Sequence, residues 1–221
     1  MKNVLIVIML FLFPFGMFSQ ADKALILGFG PNKMSGDIGG DNFTSLLKND
    51  LGLGVSLGFR YVFPFNLGVR VFGGYDQYKG EDKHDYNGGR GLFFNSKASS
   101  IGLQFEYVVW GNSYIEKTFP HSIYLFSGAK GIFSNALLND SEKIDTNTVG
   151  LFAGIGYQYR FSDYFGAGIE LRQTQFLSDR VDGYFPDIPS NKNQDTAFDV
   201  KFTLSYFIPW ESATGGKWDL Y

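Results

Sequence analysis

From Leu51 to Tyr61 the chain runs Leu-Gly-Leu-Gly-Val-Ser-Leu-Gly-Phe-Arg-Tyr. One alternate set is Leu51, Leu53, Val55, Leu57, Phe59 and Tyr61; the other is Gly52, Gly54, Ser56, Gly58 and Arg60. Side chains alternate across a strand, so a strict period of two makes this segment β and places every apolar residue on one surface. The same alternation recurs over Leu67–Asp76, Ile101–Val109, Val149–Arg160, Ala167–Arg172 and Phe198–Tyr206. Weaker runs, Ala24–Gly30 and Ile123–Phe133, bring the expected number of strands to eight.

Two barrels satisfy such a pattern, one with its apolar face inward and one with it outward. The second face decides. It is mostly glycine with sparse Arg, Glu, Asp, Lys and Gln, and glycine is a poor strand former that a water-facing surface has no reason to carry. Inside a narrow eight-stranded barrel small residues are required, because the interior only just holds side chains. The 28 glycines of the 221 residues therefore point to a lumen, and the charge-free apolar face to lipid. The expected fold is an all-β, eight-stranded antiparallel transmembrane β-barrel.

The ends are read separately. Met1-Lys2-Asn3 followed by the apolar run Val4–Phe18 and the small polar Ser19-Gln20-Ala21 has the layout of a secretory signal peptide. The run is shorter than the roughly 20 apolar residues needed to span a bilayer as a helix. The expected division is a signal peptide over 1–20, a barrel over 21–209 and a periplasmic tail over 210–221. An exported chain spanning a membrane without a helix must do so as a barrel, which locates it in a bacterial outer membrane.

The strand assignments leave long connections at Pro31–Asp50, Lys79–Arg90, Asn135–Asn147 and Ser178–Thr196, and short ones near Phe63–Asn66 and Ser162–Asp163. This alternation is that of long outer loops and short periplasmic turns, with Gly111–Phe119 as a longer exception. Aromatics collect at the short-turn end: Tyr61, Phe63, Phe65, Tyr107, Trp110, Tyr159, Phe161, Tyr164, Phe165, Tyr206, Phe207 and Trp210. They read as an interfacial girdle.

Charged residues fall on the inward face: Arg60, Arg70, Asp76, Glu106, Lys130, Arg160, Glu170, Arg172, Asp199 and Lys201. An unpaired buried charge is costly, so these are expected to pair and plug the lumen rather than line a pore. Arg70 and Glu106 should lie at similar depth, and Glu170 and Arg172 should face Lys201 and Arg160. In the tail, Trp210, Trp218 and Tyr221 are candidates for docking a partner, since exposed Trp and Tyr are typical interface anchors; dipping into the headgroup layer is the other role open to these tryptophans.

Chemistry finds little support. Zero cysteines exclude a disulfide scaffold, a thiolate metal site and a Cys nucleophile. The net charge of −3 argues against a nucleic-acid partner. His121-Ser122 would suggest a barrel hydrolase, but neighbours on a strand point to opposite faces. His84-Asp85 reads as a solvated loop pair. The glycine-rich Gly28–Gly30 and Gly36–Gly40 precede no helix, so they are no nucleotide fingerprint. Gly80–Asp82 and Asn139–Glu142 lack the ligand spacing of a calcium loop. No catalytic, cofactor or metal site is expected.

Several stretches resemble the PorG-like outer-membrane barrel proteins of Bacteroidetes. They are Ser35-Gly36-Asp37-Ile38-Gly39-Gly40, Gly58-Phe59-Arg60-Tyr61, Phe94-Asn95-Ser96-Lys97 leading into Leu103–Tyr107, Gly154–Arg160 followed by Ile169–Arg172, and Asp179–Tyr184. The resemblance covers most of the chain beyond the leader. It implies a non-enzymatic component or docking subunit of a type IX secretion apparatus, with periplasmic or lipoprotein partners. The residues alone also admit a stand-alone barrel for adhesion or membrane integrity.

Overall fold

The computed structural model describes residues 22–36, 38, 50–63, 66–82, 91–111, 120–140, 142–178, 180–184 and 195–208. Eight strands run in chain order: β1 (Asp22–Ser35), β2 (Gly52–Val62), β3 (Leu67–Glu81), β4 (Phe93–Gly111), β5 (His121–Leu138), β6 (Glu142–Arg160), β7 (Phe165–Phe176) and β8 (Thr196–Ile208). Each pairs antiparallel with the next, and β8 pairs back onto β1, closing the barrel. Closure leaves no free edge, which is the one way a sheet satisfies every ladder hydrogen bond away from water.

The glycine-alternating runs form strands for the reason their sequence gives. In β2 Leu53, Val55, Leu57 and Phe59 stand outward and exposed, while Gly52, Gly54, Gly58 and Arg60 are buried inward. The molecule is thus inverted relative to a water-soluble barrel. Its exposed large hydrophobic side chains are Leu, Val, Ile and Phe with Tyr and Trp, and its buried side chains include Arg60, Arg70, Arg172, Lys130 and Lys201 of the lumen.

Most strands are longer than their alternation suggests. β1 continues through Pro31, although proline has no N–H for the ladder. The largest departure is between β5 and β6. The expected outer loop over Asn135–Asn147 is a continuation of both strands, in register from His121–Tyr159 to Leu138–Glu142. The chain turns after β5 with Asn139 and Asp140 at φ 49° and 55°, the left-handed region that Asn and Asp enter more readily than other residues with a side chain. Asn139 also anchors the turn to β4. Its N–H donates to Phe93 O at 3.0 Å, and Phe93 N–H donates to Asn139 Oδ1 at 3.1 Å. Long and short connections therefore do not alternate strictly around the barrel.

At the end that carries the β2–β3 and β6–β7 turns, a bulge in β4 shifts register between Val108 and Trp110. Plain alternation would turn Trp110 into the lumen; the extra residue swings it outward, where it is 60% exposed. Tyr107, Tyr159, Phe161, Tyr164, Phe165 and Tyr206 join it on the outer surface. Phe207 does not belong with them. It alternates between outward Tyr206 and Ile208, so its ring points inward. Phe65 and the tail residues Trp210, Trp218 and Tyr221 lie outside the described residues, as do the leader 1–20 and the His84-Asp85 pair.

Candidate functional site in the barrel interior

The interior is layered. At its floor, near the short turns, Ala24, Ile26 and Phe207 form a small apolar cluster. Beside the floor, beginning at Arg60, the register partner of Ala24, lies a belt of charge. Arg60 on β2 and Arg70 on β3 are direct register partners, an arrangement that repels unless an anion intervenes. Glu106 on β4 supplies it, 3.5 Å from Arg60 and 2.7 Å from Arg70. Arg70 reaches on to Glu170 on β7 at 2.7 Å. Glu170 also accepts from the Tyr124 hydroxyl at 2.7 Å and from Arg172 at 3.3 Å. Gln104 accepts from Arg172 at 2.9 Å and donates to Glu106 at 3.1 Å. On the far side, Arg60 donates to Gln158 at 2.8 Å, and Gln158 donates to Ser205 at 2.9 Å. Every strand except β1 contributes a side chain to this cross-bracing.

A second charged cluster sits above it. Lys201 on β8 binds Asp76 on β3 at 2.9 Å, and Asn32 on β1 donates to the same Asp76 oxygen at 3.4 Å. Lys130 and Asp199 are buried at this level. The Lys130 ammonium lies 5.9 Å from the Phe176 ring centre. The Asp199 carboxylate accepts no hydrogen bond among the described residues.

Two expected pairings differ. Arg160, the last residue of β6, stays at the rim. It caps the β6–β7 turn by donating to Ser162 O at 3.3 Å and Asp163 O at 2.6 Å, and its guanidinium lies 4.0 Å over the Phe207 ring. Its register partner is Gly166, four residues short of Glu170, so it is too low in the barrel to reach that carboxylate. Lys201 is the register partner of Glu170, yet its side chain crosses the lumen to Asp76. Glu170 is already held by two arginines and a tyrosine, and Lys201 pairs with Asp76 instead.

Aromatic side chains fill what the charges leave, a feature that glycine-rich alternation conceals. Phe72, Tyr124, Phe126 and Phe152 form a buried cluster with Val108. The Arg172 guanidinium lies 5.1, 5.5 and 4.7 Å from the Phe72, Phe126 and Phe152 ring centres, a cage that holds the cation by its ring faces. Each of the four rings seats over a glycine of a neighbouring strand: Phe72 over Gly102, Tyr124 over Gly156, Phe126 over Gly154 and Phe152 over Gly128. A Cβ at Gly102 would stand 2.6 Å from Phe72, and at Gly154 and Gly156 it would collide with Phe126 and Tyr124. We expect Gly156→Ala to cost about 1–3 kcal/mol in urea titrations of the refolded barrel, as overpacking of a tight core does. Ala at outward-facing Gly131, where the nearest atom is 3.9 Å away, should be tolerated.

The roof is apolar. Met34, Ile38, Tyr78, Phe94, Ala98, Ile132, Phe176, Val181 and Ala197 pack together across the other mouth. Ile38 and Val181 belong to connections that the sequence reading leaves in water; both are fully buried here. The segment 180–184 is pinned by Val181 N–H donating to Asp195 Oδ2 at 2.9 Å and by Thr146 Oγ1 donating to Arg180 O at 3.1 Å.

The histidine–serine pair does not form a dyad. Ser122 is buried in the lumen, while His121 stacks on outward Tyr159 at 4.9 Å and meets the Tyr157 hydroxyl through Nδ1 at 2.6 Å.

A closed eight-stranded antiparallel barrel, apolar outside and charged within, defines the class of eight-stranded outer-membrane barrels. The chain matches no family model and no curated protein sequence. Its fold is similar to that of Neisserial surface protein A, NspA, with a TM-score of 0.54 and 14% identity over 84% of this chain and 97% of that one. A major outer membrane protein from Thermus thermophilus superposes with a TM-score of 0.55 and 16% identity, over 85% and 99% of the two chains. Identities this low speak for the fold alone.

Proposed function

We propose that the protein is a non-enzymatic, non-conducting barrel of the bacterial outer membrane that works through its surfaces rather than its lumen. The observation behind this reading is the filled interior. Salt-bridged arginines cross it, and apolar clusters fill it toward either end among the described residues. A conducting pore needs a continuous wet path, and eight strands leave no room for one around such a belt. Planar-bilayer recordings of the purified barrel should show no stable large conductance. Steady channels from the monomer would overturn the reading. A stand-alone role, in adhesion or in membrane integrity, requires nothing beyond this barrel and its outer connections.

A second reading rests on the PorG-like segments. The Gly58–Tyr61 and Gly154–Arg160 stretches carry the resemblance and supply Arg60 and Gln158 of the belt. On that reading the barrel docks periplasmic or lipoprotein components of a type IX secretion apparatus, with Trp210, Trp218 and Tyr221 as contacts. Purification from detergent-solubilised membranes separates the two. A docking subunit brings a periplasmic or lipoprotein partner with it and loses that partner when Ser212–Tyr221 is deleted. A stand-alone barrel purifies without one.

A further inference from the structure

On the outward surface of β3 and β4, directly above the apolar belt, four polar residues occupy the corners of a square. Gln77 is the register partner of Lys97, and Lys79 of Asn95. Gln77 Nε2 donates to Asn95 Oδ1 at 2.9 Å along one diagonal. The two lysines hold the other, a spacing of about 7–8 Å between such diagonal neighbours. Both lysines are exposed, and neither has an ion-pair partner among the described residues. Two cations carried on one such patch repel one another, and an anion between them relieves the repulsion.

The surface below the square is shaped. Tyr75 and Ser99 are register partners immediately beneath it, and Gly73 follows, flanked by Leu57 on β2 and Ile101 on β4. Leu57 and Ile101 are each 60% exposed and stand proud as walls. Nothing but the Ser100 carbonyl, at 3.7 Å, lies within 4 Å of where a Gly73 Cβ would be. The result is a dip in the apolar belt, open outward, on the same flank as the lysines and one step below Tyr75 and Ser99. Above the square is a cleft of about 620 Å³ that Lys79 and Asn95 share with Phe93, Asp50, Glu81 and Asp140. Its exposed aromatic ring and carboxylate acceptors suit a sugar, whose C–H face stacks on a ring and whose hydroxyls donate.

A dip for an alkyl chain, a cation pair at the boundary and a polar aromatic cleft above them make a site for one kind of amphiphile. We infer that this flank binds a phosphorylated glycolipid of the surrounding leaflet. Its phosphate lies between Lys79 and Lys97 with Asn95 Nδ2 as a further donor, an acyl chain lies along Gly73, and the sugar lies over Phe93. The carboxylates of the cleft accept sugar hydroxyls and repel phosphate, which confines the phosphate to the square. The inference rests on the outer-membrane reading above.

The test places the full barrel in phosphatidylcholine nanodiscs doped with bis-phosphorylated lipid A, its dephosphorylated form, or phosphatidylglycerol, and counts retained lipid by native mass spectrometry. The wild type should retain the phosphorylated glycolipid in preference to the other two. The double variant Lys79→Gln/Lys97→Gln should lower that retention about tenfold or more, since each surface cation contributes to anionic-lipid attraction. Gly73→Leu, which fills the dip without changing charge, should lower it as well, and Lys143→Gln on β6 should not. Equal retention by wild type and double variant overturns the inference. So does phosphatidylglycerol retained as well as lipid A, or displacement of lipid A by millimolar inorganic phosphate. A barrel that remains in water without detergent and never enters the discs overturns the membrane reading itself, whereas one that inserts without lipid preference overturns only the glycolipid site.

Discussion

Glu170→Ala is expected to destabilise the barrel by about 3–5 kcal/mol, the cost of removing one partner from a buried charge network. Glu170 is 2% exposed and receives Arg70, Arg172 and the Tyr124 hydroxyl together. Its loss leaves Arg70 with Glu106 as its anion and Arg172 with Gln104 and three rings. Urea unfolding in lipid vesicles, followed by tryptophan fluorescence and by the folded band on an unboiled gel, measures the change. The sharper form is a cycle. Arg70→Met combined with Glu170→Leu removes a cation and an anion together, and should cost less than Glu170→Leu alone, because desolvation of both ions is recovered. A Glu170→Ala barrel as stable as the parent would mean that the belt contributes nothing to holding the wall together.

Leu204→Arg tests the other face. Leu204 faces outward on β8, one outward position from the midpoint Phe202, 50% exposed, between Leu27 of β1 and Ala167 of β7. An arginine on the lipid-facing side near the bilayer midplane costs about 2–4 kcal/mol, falling toward zero near the interfaces. Assembly into vesicles should fall accordingly. The same substitution at Lys97, already polar and near the rim, should be close to neutral. If Leu204→Arg assembles like the parent and the wild type stays monomeric in water, the apolar surface does not face lipid.

The parts of this architecture that the sequence discloses are those where burial demands differ between the two faces of a strand. Leu51–Tyr61 and Phe198–Tyr206 meet lipid on one side and a cramped lumen on the other, so their register can be read directly. Above the belt that contrast fades. Ser134, Asn135, Thr146 and Asn147 are polar on both faces, and the β5–β6 hairpin they belong to looks like a loop until its ladder is seen. Depth within the lumen is legible for Arg70 and Glu106, whose strands are neighbours. The Lys201–Asp76 contact joins β8 to β3 across the interior, and no adjacent-strand register can reveal it. The outward swing of Trp110 depends on a single inserted residue in β4, and the inward turn of Phe207 on its place between Tyr206 and Ile208. The burial of Val181 depends on the folded position of its connection, since its neighbours Asp182 and Arg180 have the composition of solvated chain.

The cross-bracing of the belt has a consequence for how the molecule comes into being. Asp76 and Lys201 are 125 residues apart in the chain, and Arg60 and Gln158 are 98 apart. No hairpin, nor any growing run of hairpins short of the last strands, can satisfy these groups. Until β7 and β8 arrive, Arg70 lacks Glu170 and Asp76 lacks Lys201, so a partly zipped sheet carries unneutralised charge on the surface it must enclose. Contacts of such long separation are won only after the chain entropy of bringing distant segments together has been spent. Assembly is thereby biased toward an all-or-none event. The pairing of β8 with β1 closes the barrel and brings Lys201 within reach of Asp76, so the seam and the charge network are completed together.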